Sequence, residues 1–172
     1  MPSSDFCLGF NSHIYANTRI LILGSMPSVA SLAAGQYYAH PRNRFWPLMA
    51  LLLENTDAPA DYQARLDMLA RHSIGLWDAL HTCARSGSLD SAITDEEPND
   101  FLSVVERFPH IHTIACNGGK AWQVFKKHNK PLLTRPGLRC LQLPSTSPAN
   151  ARMSLEQLAE VWKEQIFNLE KN

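Results

Sequence analysis

The sequence predicts an α/β fold, a three-layer α/β/α sandwich in which a parallel sheet is covered by helices on both faces. Three short continuous apolar runs carry the sheet: Arg19-Ile-Leu-Ile-Leu-Gly24, His112-Thr-Ile-Ala-Cys-Asn117 and Leu138 to Leu143. Such runs are the pattern of strands buried on both sides, where no alternation with polar residues is needed. Between them lie segments whose apolar residues recur at helical spacing, and alternation of the two kinds implies parallel strands joined by helical crossovers. At 172 residues, with 45% hydrophobic and 19% charged residues, the chain can bury one good core but not two, so a single domain over 1–172 is expected.

The elements read in order as follows. The run ending at Gly24 gives way to a turn containing Pro27 and then to an aromatic-rich loop reaching Pro41. Pro41 suits a first helical turn, and Phe45, Leu48, Met49 and Leu52 continue at helical spacing. Asp61 to His72 repeats that signature with Leu66, Leu69 and Ala70, while Ile74 to Leu80 reads equally as strand or loop. Asp90 to Pro98 is expected to be an exposed loop. Asn99 is placed to cap a helix carrying Phe101, Leu102, Val105 and Phe108. After the strand ending at Asn117, Gly118 and Gly119 open a helix with Ala121, Trp122 and Phe125 on one side. The strand from Leu138 is stopped by Pro144. Ser154 and Gln157 have the spacing of a capping box ahead of the stripe Leu155, Leu158, Trp162, Ile166 and Leu169.

Composition excludes several classes. No run approaches the ~18 apolar residues of a membrane span, and Met1 to Phe10 lacks the basic and apolar halves of a secretory signal, so a cytoplasmic protein is expected. Cys7, Cys83, Cys116 and Cys140 are dispersed without a C-x-x-C pair, as reduced thiols are, and neither metal nor cofactor is implied. His110 and His112 at a strand start read as solvated rather than as ligands. Sixteen basic residues balance sixteen acidic ones, so a strongly nucleic-acid-binding surface is not advertised. Charge is nonetheless uneven: Lys120, Lys126, Lys127, Lys130, Arg135 and Arg139 are basic neighbours, and Asp90, Asp95, Glu96, Glu97 and Asp100 cluster elsewhere.

In an open parallel sheet, ligands bind beyond the carboxyl ends of the strands. Three segments are expected there: Gly24-Ser25-Met26-Pro27-Ser28 with the loop to Trp46, Cys116-Asn-Gly-Gly-Lys120, and Leu143-Pro-Ser-Thr-Ser-Pro-Ala-Asn150. They are rich in amides and hydroxyls and poor in carboxylates. No Walker loop, G-x-S-x-G elbow or G-x-G-x-x-G fingerprint is present. Such a site would work by orienting groups and donating hydrogen bonds.

These same segments resemble motifs of the uracil-DNA glycosylase superfamily, in order and over nearly the whole chain from about Ile20 to Leu169. The heptad His40-Pro-Arg-Asn-Arg-Phe-Trp46 is similar to that of mismatch-specific uracil-DNA glycosylases. The Gly24-Ser-Met-Pro27 start, the Tyr37-Tyr-Ala-His-Pro41 lead-in and the Ser145-Thr-Ser-Pro-Ala-Asn150 loop look more like the hypoxanthine-DNA (deoxyinosine) glycosylase branch. The resemblance implies a central four-stranded parallel sheet and a monofunctional glycosylase of base excision repair that flips a deaminated base out of DNA at the strand ends. A uracil or G·U/G·T mismatch glycosylase, and a non-catalytic nucleic-acid-binding domain of the same fold, are the alternatives.

The resemblance also implies roles. Tyr38 would stack on the extruded base, and Asn117 would read its edge with an amide donor and acceptor, or else cap the following helix. Gly24, Ser25 and Met26 would line the base pocket, with backbone N–H groups around Ser25 stabilising the departing anion. Met26 stands where mismatch-specific relatives carry a water-positioning asparagine, and that task would pass to Asn43, or Asn43 would brace its loop. Ser145 takes the place of the usual histidine of the last motif. His40, Arg42, Lys120, Ser147, Ala149, Asn150 and Arg152 would contact DNA, with Arg44 as a contact or as a structural clamp paired with a buried acid. Damaged DNA is the expected partner, with no membrane, and a monomer is expected.

Overall fold

A computed structural model of the chain describes residues 5–167. Four strands, β2 (Ile20–Gly24), β3 (Ile74–Asp78), β6 (Thr113–Asn117) and β7 (Arg139–Leu143), form a parallel sheet in the order β3-β2-β6-β7. The segment that reads ambiguously, Ile74 to Leu80, is thus an outer strand of the sheet as far as Asp78.

Side chains of β2 alternate between two cores, as a strand covered on both faces requires. Ile20 and Ile22 pack with Phe45, Trp46, Leu48, Met49, Leu66, Leu69, Leu158 and Trp162 on one face. These come from α2 (Phe45–Glu54), α3 (Tyr62–Arg71) and α7 (Leu155–Trp162). Leu21 and Leu23 pack with Phe101, Val104, Val105 and Phe125 on the other, from α4 (Phe101–Arg107) and α5 (Gly119–His128). Two short helices, α1 (Val29–Ala34) and α6 (Lys130–Leu133), complete the helical set. The capping box of α7 is present, Ser154 and Gln157 each bonding the other's backbone N–H. The helix continues as a π-helical turn over Lys163–Phe167, with Ile166 buried; Leu169, expected on the same stripe, lies outside the described residues.

Four expectations are corrected. Asp90 to Pro98 is not a loop: a 3-10 turn over Asp90–Ala92 leads into β5 (Thr94–Pro98). With β1 (Phe6–Leu8) and β4 (Leu80–Ala84), this strand forms a second, antiparallel sheet in the order β1-β4-β5. The strand escapes a periodicity search because it carries acids and little apolar content, and its ladder with β4 shifts register twice. Helix α2 starts at Phe45 rather than Pro41, because the His40 carbonyl accepts the Asn43 N–H and the Thr146 carbonyl accepts the Arg44 N–H, holding the preceding residues in a non-helical turn. The cap of α4 is Asp100, whose carboxylate accepts the Ser103 N–H at 3.1 Å, and not Asn99, whose amide instead donates to the carbonyls of Asp78 and Leu80. The strand expected from His112 begins at Thr113. No helix among the described residues is long and apolar enough to cross a membrane.

Candidate active site

Sheet register brings Gly24 opposite Asp78 and Asn117 opposite Leu143, so the carboxyl ends of all four parallel strands form one line. The three segments singled out in the sequence emerge along it, as the strand-end rule for α/β sheets anticipates.

The first segment is held from behind by the antiparallel sheet. Ser25 Oγ donates to Asp90 Oδ1 at 2.6 Å, the Arg85 guanidinium donates to the Pro27 carbonyl, and Ser28 caps α1 by accepting the Ser31 N–H. Met26 is buried in a third apolar cluster with Cys7, Leu80, Cys83, Ile93 and Val124. That placement gives the methionine a physical reason: it anchors the loop to the second sheet, and its side chain points into apolar packing where the expectation had it lining a base pocket.

Tyr38 sits in the left-handed region at φ 55°, a conformation costly for a bulky residue and held here by its surroundings. Its ring stacks on Phe45 with centroids 4.0 Å apart and planes at 27°. Its neighbour Tyr37 is buried, with its hydroxyl on the Asn11 carbonyl and its own carbonyl accepting the Trp46 indole N–H at 2.9 Å. Tyr38 Oη is buried without a well-formed hydrogen bond, and so is Asp78 Oδ2. Both groups lie over Gly24: a Cβ there would be 2.6 Å from Asp78 Oδ1 and 3.4 Å from Tyr38 Oη, so only glycine fits. Burial pushes the Asp78 carboxyl up to about 7; the Arg85 charge opposes the shift and Asp90 adds to it. Burial, reinforced by the charge of Asp78 and opposed by the nearby Asn117 amide, also drives the Tyr38 phenol well above its ordinary range.

The two candidate asparagines meet at Thr146, which is 0% exposed. Asn43 Oδ1 accepts the Phe45 N–H at 2.9 Å and the Thr146 hydroxyl at 2.8 Å. Asn117 Oδ1 accepts the Thr146 N–H at 3.0 Å, while Asn117 Nδ2 donates to Thr146 Oγ1 at 3.0 Å. Each amide is thus pinned by a backbone N–H, which only donates, and neither can be flipped. Asn43 therefore starts α2 with its oxygen and keeps its NH₂ for a ligand. Asn117 does not cap α5, whose N-cap is Gly118; the paired edge of its amide is spent on Thr146, and the amide also neighbours the Tyr38 phenol.

Arg44 is a clamp, although for carbonyls and not for an acid. Its guanidinium donates to the carbonyls of Ser147 at 3.1 Å, Asn150 at 2.8 Å and Met153. Within the same loop, Ser145 Oγ accepts the Ser147 N–H, Ser147 Oγ accepts the Ala149 N–H, and the Asn150 amide donates to the Ser145 carbonyl. The loop is thereby cross-braced, with Ala149 and Arg152 exposed and Ser145, Ser147 and Asn150 half-buried. Ser145 also crosses α5 closely: a Cβ on Gly118, at φ 98°, would be 3.1 Å from the Ser145 Cβ. His40 accepts the Arg42 N–H on Nδ1, and the Arg42 side chain is exposed beside it.

Lys120 lies apart from this constellation. Its ammonium is 2.5 Å from Glu96 Oε1, with Lys127 and His128 facing the other carboxylate oxygen at 3.9 and 3.8 Å. Burial raises the Glu96 carboxyl, and the bond and charge of Lys120 with the Lys127 and His128 charges outweigh that and hold it below its usual range. The lysine expected on DNA fastens α5 to β5. Thr146 and Asp78 are the two residues that sequence reasoning missed. A threonine inside a Ser-Thr-Ser run shows nothing of its burial, whereas an acid ending the apolar run Ile74-Gly-Leu-Trp-Asp78 was a readable signal.

Comparison with known proteins identifies the family. The model of the uracil DNA glycosylase superfamily matches residues 12–165. A Methanosarcina acetivorans protein named hypoxanthine DNA glycosylase is 40% identical over 152 residues, which span 88% of this chain and 93% of the relative. A Methanosarcina barkeri protein of the same name is 38% identical over 156 residues, 91% of this chain and 95% of the relative. The solution NMR structure of a M. acetivorans protein described as a candidate uracil DNA glycosylase superposes with a TM-score of 0.80 at 39% identity, covering 96% of this chain and 99% of that one. A sheet with its polar residues gathered at the strand ends, and a family match spanning most of the described residues, lead to one assignment: the chain belongs to the uracil DNA glycosylase superfamily.

Proposed function

We propose that this protein is a monofunctional DNA glycosylase that removes hypoxanthine from deoxyinosine, acting as a single domain and a monomer on DNA. The observation that carries the proposal is the pair of asparagines, Asn43 and Asn117, locked through Thr146 beside the Tyr38 ring at the strand ends. The relatives named hypoxanthine DNA glycosylase supply the base.

In this reading the extruded base lies against Tyr38, whose other face is backed by Phe45. The carbonyl on the lactam edge of hypoxanthine can accept the one N–H that Asn117 does not spend on Thr146. Cleavage of the bond from C1′ to N9 leaves its electron pair on the base, whose anion is stabilised by fixed donors: Asn117 and the backbone around Gly24 and Ser25. Asn43 holds water through its NH₂ group. Because its oxygen is occupied twice, it donates to the water and takes no proton from it. Water then captures C1′ of the oxocarbenium-like sugar, and its proton passes to the base anion or to solvent. Such catalysis is by position and hydrogen bonding, without a general base. His40, Arg42, Ser147 and Arg152, with the small Ala149 and Asn150 between them, present the surface for phosphates and the emptied stack.

The test is base release from matched duplexes carrying deoxyinosine, deoxyuridine, deoxyxanthosine or a G·T mismatch, run beside Asn43→Ala. Alkali-revealed cleavage at deoxyinosine, lost in the variant, is expected. Cleavage mainly at deoxyuridine would reassign the substrate, since uracil presents the same lactam edge. DNA binding with no cleavage of any duplex would overturn the enzymatic reading.

A further inference from the structure

We infer that Thr146 is the positioning residue of this site, a single hydroxyl that ties Asn43 to Asn117 and holds in place two amides whose direction backbone N–H groups set. The inference rests on the catalytic reading above and adds to it how two amides from distant segments are kept in one productive orientation.

All of the polar atoms of Thr146 are used, and all of them point at the site. Its N–H donates to Asn117 Oδ1, its carbonyl accepts the Arg44 N–H at 3.1 Å, and its hydroxyl accepts from Asn117 Nδ2 while donating to Asn43 Oδ1. A hydroxyl has one proton, so these bonds have a direction: Asn117 N–H to Thr146 O–H to Asn43 C=O. Direction matters chemically. It commits the Asn43 oxygen and leaves the NH₂ for water. It also commits one proton of Asn117 Nδ2, leaving the other N–H for a carbonyl of the base. A valine of the same shape would keep the packing and the backbone bonds. It would leave each amide held by one backbone N–H alone, Asn43 Oδ1 by that of Phe45 and Asn117 Oδ1 by that of residue 146, so both side chains would be less closely fixed. Because Thr146 is fully buried and its hydroxyl is doubly bonded within the protein, it acts through the asparagines and not on substrate.

The test compares Thr146→Val with Thr146→Ser in single-turnover release of hypoxanthine and in affinity for a duplex carrying a tetrahydrofuran abasic analogue. Thr146→Val should slow release about 100-fold, the scale of a lost positioning contact, with affinity for the analogue duplex within about twofold, since the phosphate-contacting loop is held by Arg44. Thr146→Ser, which keeps the hydroxyl, should recover most of the rate. A valine variant near the wild-type rate, a serine variant as slow as valine, or a loss of affinity as large as the loss of rate would each overturn the inference. If wild-type protein releases neither hypoxanthine nor uracil, the functional reading fails separately. The NMR signals of the Asn43 and Asn117 side-chain NH₂ groups then decide: faster solvent exchange in Thr146→Val but not Thr146→Ser supports the positioning role, and unchanged exchange in both refutes it.

Discussion

Replacing Asp78 by asparagine should change how stability depends on pH more than it changes stability at any one pH. The carboxyl is 3% exposed, one of its oxygens has no partner, and burial drives it from the ordinary 3.8 to about 7, against the opposing charge of Arg85. Between those two values the folded protein binds more protons at this site than the unfolded chain does. Stability therefore falls as pH rises through that window, by at most ~1.4 kcal/mol per pH unit. Integrated from pH 5 to pH 8, the two values give a loss of about 2–3 kcal/mol from this one group. The substituted amide carries no charge and contributes no such slope. Every other titrating group, including the half-buried His13 whose imidazole burial pushes down, is common to both proteins and cancels in the comparison. The Asp78→Asn variant should therefore gain about 2–3 kcal/mol on the wild type across that range, or roughly 5–10 °C in Tm for a chain of this size. Urea unfolding at pH 5, 6, 7 and 8, followed by tryptophan fluorescence, measures it directly. Parallel profiles for the two proteins would refute the claim that Asp78 is an acid held neutral by burial.

Other consequences of the site are as direct. Asn43→Ala should abolish most turnover and also cost about 1 kcal/mol in unfolding experiments, because its oxygen serves the first N–H of α2 as a cap does. Arg44→Lys should lower stability by about 1–3 kcal/mol and loosen the 145–153 loop toward proteases, since an ammonium cannot span three carbonyls as a guanidinium does. Lys120→Gln should leave DNA affinity within about twofold, the behaviour of a residue paired with Glu96 and not with phosphate; a clear weakening with a shallower salt dependence would return it to the DNA surface. Tyr38→Phe should be neutral or stabilising by up to ~1 kcal/mol in urea unfolding, because it removes a buried hydroxyl without a well-formed bond, whereas Tyr38→Ala should raise KM for deoxyinosine duplexes by removing the stacking face.

A neutral acid at the strand ends also bears on the mechanism. The sequence reads as poor in carboxylates at these loops, yet folding brings Asp78 against Gly24 and Asp90 onto Ser25. Asp78 held uncharged would not repel a departing base anion, whereas an ionised carboxylate would. Activity falling as pH rises past about 7, and flattened in Asp78→Asn, would connect the two effects.

The layers of this fold were legible in the chain because burial leaves a local periodic trace. Ile20 to Leu23 is apolar throughout since alternate residues enter different cores, and α7 announces itself through Ser154, Gln157 and its stripe. The placing of the polar segments at the strand ends followed from where each apolar run stops. What the chain alone could not give was partnership. Thr146 meets Asn43 across 103 residues and Asn117 across 29. Lys120 finds Glu96 on a strand with no readable pattern, and Met26 turns toward Cys83 and Ile93. Hydrophobic spacing reports that a side chain is buried; which polar atom it then faces depends on sheet register and on how loops dock, and those are decided only when the whole chain has folded.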